Sequence, residues 1–262
     1  MNDRPILEVD GATKTFGGVL ALNRVSFHVN RGEILGIIGP NGSGKTTLIN
    51  GITGFIKMTA GKVFFRGKNI TGRPSHKIAD MGLTRTFQIM RPYYSLPAYK
   101  NLVIPLFSPR AKRTGGWRGG GKLGDRHTVG IDILEEIGFE RDSYVPYKMA
   151  SSLPTGYLKR LELARCLALK PDMILCDEIF SGLSASEIAS MVPLIERLQM
   201  EDITLIMIEH RLRELFRVAN RVMVLNFGEK LTEGSSDEVM NNPKVKEAYF
   251  GSKEVEEVMT YA

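Results

Sequence analysis

Directly after an apolar run, Glu33 to Gly39, the chain reads Gly39-Pro40-Asn41-Gly42-Ser43-Gly44-Lys45-Thr46-Thr47, which fits the pattern G-x-x-x-x-G-K-[ST]. Glycine lets a backbone adopt conformations that a Cβ forbids. Gly39, Gly42 and Gly44 therefore allow successive N–H groups to converge on phosphate oxygens at the start of a helix. Lys45 adds a positive charge between the β- and γ-phosphates, the Thr46 hydroxyl suits Mg²⁺, and Thr47 reaches the α-phosphate. A run that follows a strand and opens a helix is what such a phosphate-binding P-loop requires.

Binding a nucleotide is not yet cleaving it. Cleavage needs a metal ligand and a group that readies water, and Met173-Ile174-Leu175-Cys176-Asp177-Glu178 offers both. Four apolar residues make a buried strand that delivers Asp177 to a Mg²⁺ shell, and Glu178 beside it is placed to act as general base. Thr204 to Ile208 is another buried strand, ending in Glu209-His210, where a neutral imidazole of His210 can hydrogen-bond a γ-phosphate and sense its loss. Gln88, in Thr84-Arg85-Thr86-Phe87-Gln88, can ligate Mg²⁺ or its water through the amide oxygen.

These residues need a scaffold, and the sequence suggests one. Valine- and isoleucine-rich runs alternate with helical patterns, the mark of an α/β domain with a mainly parallel sheet. Glu33 to Gly39, Met173 to Asp177 and Thr204 to Ile208 are its expected strands. Leu7 to Val9, Val25 to Val29 and Lys62 to Arg66 are expected to form an antiparallel β-lobe, with Gly17-Gly18, Gly61 and Gly67 as breakers. Between Gln88 and Lys170 strand signals fade, and helical patterns at Gly130 to Gly138 and Tyr157 to Lys170 predict an inserted helical subdomain. The expected division is a core with its β-lobe at 1–88 and 165–240, a helical subdomain at 89–164 and a C-terminal extension at 241–262.

Composition narrows the partners. The chain has 262 residues, 43% hydrophobic and 24% charged, and neither figure points to disorder or a membrane span. No apolar run approaches the ~20 residues needed to cross a bilayer. Cys166 and Cys176 form no CxxC pair and lie in apolar stretches, so buried thiols in a reducing, cytoplasmic compartment are expected. The net charge of +6 largely reflects Arg110 to Arg126, and the glycines among those basic residues make Ser108 to Gly124 read as a flexible, solvated loop. Lys253 to Ala262 reads as a frayed terminal helix.

Phe16, the P-loop, Gln88, Leu153 to Tyr157, Asp177-Glu178, Ser181-Gly182-Leu183 and His210, in that order, resemble the ATP-binding cassette family over nearly the whole chain. Gly39 to Phe55, Arg85 to Gln88 and Asn241 to Gly251 are similar to the ATPase subunits of branched-chain amino-acid importers. The resemblance implies a P-loop NTPase core, ATP and Mg²⁺ as cofactors, and ATP hydrolysis that energises transport by dimer closure. It implies that Phe16 stacks on adenine and that Gln88 couples the nucleotide to transmembrane permease subunits, which hold the chain on the inner face of the membrane. A solute-binding protein is an indirect partner, and no nucleic acid is expected.

The family's signature, Leu-Ser-Gly-Gly-Gln, caps the γ-phosphate held by the opposing subunit, and here its place is taken by Leu153-Pro154-Thr155-Gly156-Tyr157. Thr155 returns the lost hydroxyl one residue later, and Gly156 is retained. Proline is tolerated in a first helical turn. Ile179 stands where the family has proline, and Ser184 where many members have aspartate or asparagine. An intact P-loop beside an altered signature leads to the expectation of a different cassette chain as partner, with a second copy as the alternative. Two rival readings are a cassette ATPase acting on nucleic acid or ribosomes and a regulatory ATP-binding subunit with weak turnover. The first typically needs two fused cassettes or long coiled-coil arms, and the survival of Glu178 and His210 weighs against the second.

Overall fold

The computed structural model describes residues 4–113 and 126–249. Alternating burial in Leu7–Phe16 (β1) and Val19–Val29 (β2) gives a half-buried antiparallel pair that turns at Gly17-Gly18. Ile34–Ile38 (β3) is buried at every position and leads through the P-loop into Lys45–Ile52 (α1). Ala60–Phe65 (β4) and Lys68–Asn69 (β5) complete a four-stranded sheet of order β2-β1-β4-β5. Ser75–Met81 (α2) and Leu83–Arg85 (β6) then bring the chain to Gln88.

Helices dominate the next stretch: Lys100–Leu106 (α3), Pro109–Arg113 (α4), Arg126–Glu136 (α5) and Thr155–Leu167 (α6). Met173–Asp177 (β7), Ala185–Met200 (α7), Thr204–Ile208 (β8), Leu212–Val218 (α8), Arg221–Asn226 (β9) and Glu229–Gly234 (β10) return to the core. Ser236–Asn241 (α9) and Pro243–Ala248 (α10) end the described chain. The second sheet has the order β10-β9-β3-β8-β7-β6, with β10 antiparallel and the other pairings parallel.

Strands covered on both faces are buried at every position, as β3, β7 and β8 are, and they are apolar apart from Thr204 at the start of β8 and Asp177 at the end of β7. Successive residues then face opposite layers. Ile34, Ile174, Cys176, Leu205 and Met207 pack with the helical side and α7, whereas Leu35, Ile37, Leu175, Ile206 and Ile208 pack with α1 and the β-lobe. This double cover fixes the ends of β3, β7 and β8, from which the functional side chains project. Ser184 and Glu187 close a reciprocal capping box at the start of α7, a feature worth about 1 kcal/mol.

Some expectations need correction. Gly61 does not break a strand but lies within β4, at φ +94°, where a Cβ would run into the Gly11 carbonyl at the β1 bulge. The stretch expected as a loop from Ser108 to Gly124 begins with a helix, α4. Its Arg110 is buried, donating to Lys170 O (2.7 Å), Met81 O (3.1 Å) and Asp172 Oδ2 (2.9 Å). Residues 114–124 of that loop and the terminal helix at 253–262 lie outside the described residues. Helix α6 starts at Thr155, two residues before the expected Tyr157, because Pro154 serves as its N-cap. Among the described residues, no helix is long and apolar enough to cross a membrane.

Candidate nucleotide site

At Gly39 and Gly44 the P-loop is packed too closely for a side chain. A Cβ on Gly39 would collide with the Leu225 carbonyl, and one on Gly44, at φ +102°, would lie 2.7 Å from Ala21 O. The second contact seats the loop against β2, and the Gly228 N–H, donated to Ser43 O (3.0 Å), seats it against the β9–β10 turn. Lys45 is buried and folds back over the loop, donating to Gly39 O (2.7 Å) and Pro40 O (3.0 Å). Its charge is thereby held inside the ring of glycines. Asn41, Gly42 and Thr46 are exposed, and Thr47 is half-buried.

The acidic end of β7 lies across from this loop in the same sheet. Asp177 is 1% exposed. One oxygen, Oδ2, accepts from Arg85 Nη2 (2.9 Å), while Oδ1 is buried with no hydrogen-bond partner. Burial raises the Asp177 pKa, and Arg85 opposes that rise. An orphaned buried carboxylate oxygen is an expensive feature, and it is the feature a cation would relieve. Among the described residues no group of three or more acids, histidines or cysteines is placed to cage a metal alone. Mg²⁺ commonly takes only one or two protein ligands together with phosphates and water, and Asp177 Oδ1 is available to be one of them.

Glu178, Gln88 and His210 are brought together. Gln88 Nε2 donates to Glu178 Oε2 at 2.8 Å, and His210 Nε2 is 3.2 Å from Glu178 Oε1. The carboxylate is thus held between the end of β8 and the segment after β6. Glu178 has a left-handed backbone, φ +53°, which turns its side chain out of the strand direction. Such a carboxylate can take a proton from a water placed against it.

Phe16 lies at the end of β1, 46% exposed, with Lys14 Nζ 4.6 Å from the ring centroid. Its open face can accept a planar base. Thr155 and Gly156 stand outside the Glu178 cluster. A Cβ on Gly156 would strike the Glu187 carboxylate, and Thr155 packs near Gly182. Tyr157 donates to both oxygens of Glu140 (3.0 and 3.2 Å) and meets Phe139 edge-on, so it is tied to the segment that follows α5.

Three residues near the site carry roles that sequence reasoning did not assign. Arg85 binds Asp177, donates to Asn50 Oδ1 (2.6 Å) and lies against the rings of Phe55 and Phe87. Those rings line a cleft of about 250 Å³ shared by α2, β6 and α6. Lys159 and Glu209 are the other two, both buried. The available signals were a lysine on the apolar face of α6 and an acid directly after the apolar run Leu205 to Ile208. Cys166 and Cys176 are buried free thiols, as expected, and burial pushes the Cys166 thiol up to about 12.

Comparison with known proteins agrees with this geometry. Residues 22–181 match the family model described as ABC transporter, and residues 229–255 match that of the branched-chain amino acid ATP-binding cassette transporter. The chain is 36% identical over 257 residues to the high-affinity branched-chain amino acid transport ATP-binding protein LivG of Salmonella typhimurium, covering 95% of this chain and 98% of that one. It is 34% identical over 256 residues to BraF of Pseudomonas aeruginosa, a protein of the same description, with the same coverage. Among solved structures, the ADP conformation of MJ1267, an ATP-binding cassette of an ABC transporter, superposes with a TM-score of 0.81 at 32% identity, covering 95% of this chain and all of that one. The dimeric bacterial cassette MJ0796, at 24% identity and a TM-score of 0.76 over 88% of this chain and 98% of that one, shares the fold. The chain belongs to the ABC transporter family, as an ATP-binding subunit that hydrolyses ATP to drive transport.

Proposed function

We propose that this ATPase energises an importer of branched-chain amino acids or closely related small solutes. The observation that carries this reading is the match of residues 229–255 to the branched-chain amino-acid cassette family, a stretch outside the general cassette match. Relatives of that description along 95% of the chain support it. The test is uptake of labelled leucine, isoleucine and valine by cells that lack this chain and by cells complemented with it. Loss of uptake restored by the intact chain, but not by Lys45→Met, supports the proposal; unchanged uptake of all three overturns it.

In this reading the P-loop, Gly39 to Thr47, holds the phosphates of ATP, and Phe16 stacks on adenine. Thr46, Asp177 and Gln88 hold Mg²⁺, which when bound neutralises phosphate charge. Glu178 takes the proton of the attacking water, and His210 and Gln88 keep its carboxylate in place. Core and β-lobe span 1–88 and 165–240, the helical subdomain 89–164 and the extension 241–262. The chain works on the cytoplasmic face of the membrane, attached through permease subunits, with a solute-binding protein as an indirect partner.

Thr155 and Gly156, at the start of α6, cap the nucleotide of the opposing cassette. Because Pro154 and Tyr157 replace serine and glutamine of the signature, the partner is a different cassette chain whose signature completes this chain's site. Sedimentation of the purified chain with ATP tests this. A monomer with slow turnover is expected, and a tight ATP-dependent homodimer as active as the assembled transporter overturns it.

A further inference from the structure

A left-handed backbone at a non-glycine residue is a strained state that persists only where its surroundings enforce it. Glu178 is in that state, at the point where β7 ends and the chain turns towards α7. Its N–H donates to Ile208 O (2.9 Å), which ties it to β8. Its carbonyl oxygen accepts from Lys159 Nζ at 2.7 Å and from the Ser181 N–H at 3.2 Å. Beyond it, the Phe180 N–H donates to Glu209 Oε1 at 2.9 Å.

Lys159 is 5% exposed and Glu209 2%. Burying a lysine and a glutamate is unfavourable unless their polar atoms find hydrogen-bond partners. What sets these two apart is where they point. Each directs its hydrogen bonding to the backbone of residues 178–180, one from α6 and one from the end of β8. Lys159 also lies one turn beyond Thr155 and Gly156 on the same helix. The helix that begins at the signature position is therefore hydrogen-bonded to the main chain of this chain's own Glu178.

We propose that Lys159 and Glu209 are positioning residues that clamp the backbone of residues 178–180 and so aim the Glu178 carboxylate, with Lys159 making that aim depend on the seat of α6. The inference rests on the reading of Glu178 as general base and of the start of α6 as the cap on the opposing nucleotide. A displacement of α6 as its N-terminus meets the opposing phosphate reaches the Glu178 carbonyl through a single hydrogen bond. Each site then senses whether the other is filled without any movement of the P-loop.

The test uses the full chain in the assembled transporter with Lys159→Met, Lys159→Arg, Glu209→Leu and Glu178→Gln. Lys159→Met is expected to lower kcat at least tenfold with KM for ATP within twofold of wild type. Lys159→Arg, which keeps a donor, is expected to recover kcat to within threefold. Hydrogen exchange at the Phe180 amide is expected to quicken at least tenfold in Glu209→Leu. A kcat within twofold of wild type in Lys159→Met, or a KM that rises in step with the loss of kcat, overturns the proposal, as does unchanged exchange in Glu209→Leu. Should Lys159→Met fail to assemble, the same kcat and KM comparison between wild type and Lys159→Ala, which also lacks a donor, decides. Glu178→Gln that keeps full turnover overturns the base assignment on its own, and the exchange result then still reports whether the clamp exists.

Discussion

The function proposed above gives two helix starts in this molecule to phosphate, and they differ in what holds them. At α1 the loop before the helix is glycine-rich, its lysine lies over its own carbonyls, and the packing against Leu225 and Ala21 leaves no room for a Cβ. At α6 a proline, a threonine and a tyrosine precede or open the helix, and Tyr157 is anchored to Glu140 and Phe139 after α5. Positive helix termini attract anions in both places, but the first surrounds its ligand whereas the second can only cover one. In the function proposed above, the first binds alone and the second acts on a ligand held by another chain.

The sharpest way to separate binding from cleavage is Glu178→Gln. It keeps the size and most hydrogen bonds of the side chain while removing its basicity, so ATP turnover is expected to fall about 10²- to 10⁴-fold with nucleotide affinity retained. Single-turnover measurement of phosphate release checks it. Restoring the signature with Pro154→Ser, Thr155→Gly and Tyr157→Gln acts on the other helix start. The purified chain is expected to gain ATP-dependent self-association and several-fold turnover, read by sedimentation and phosphate release; no change in either contradicts the contrast drawn above.

A smaller effect concerns pH. Burial pushes the Glu209 carboxyl up to about 8, against the Phe180 and Ile179 N–H groups and Lys159, which pull it down. The folded state thus binds a proton that the unfolded state releases near 4.5. Stability from this group is complete below about pH 4.5 and is lost as pH rises through 8. Glu209→Gln is expected to flatten the fall in Tm across that window, as thermal melts at several pH values will show. The smallest change is Tyr157→Phe, which removes an exposed hydrogen bond to Glu140 worth about 1 kcal/mol or less; it is expected to lower Tm by at most a few degrees.

What could be read from the sequence was whatever is contiguous. The P-loop, the apolar strand with Asp177-Glu178, and the strand with His210 each declare themselves over five to nine residues, and the parallel sheet follows from them. Residues whose meaning lies in a distant partner did not declare themselves. Arg85 meets Asp177 across 92 positions, and Lys159 and Glu209 converge on residues 178–180 from two different elements. Arg110 was misread for the same reason, because a charge run gives no sign that one member reaches Asp172. The short strands β6, β9 and β10 drew no notice, since three to six residues beside turns carry little periodicity.

Titration calorimetry with magnesium and a non-hydrolysable ATP analogue, on the wild-type chain and on Lys45→Glu, tests the central claim most directly. The account predicts 1:1 binding to the wild-type chain alone and at least a hundredfold loss of affinity in the variant. Equal affinity in both folded proteins would contradict it.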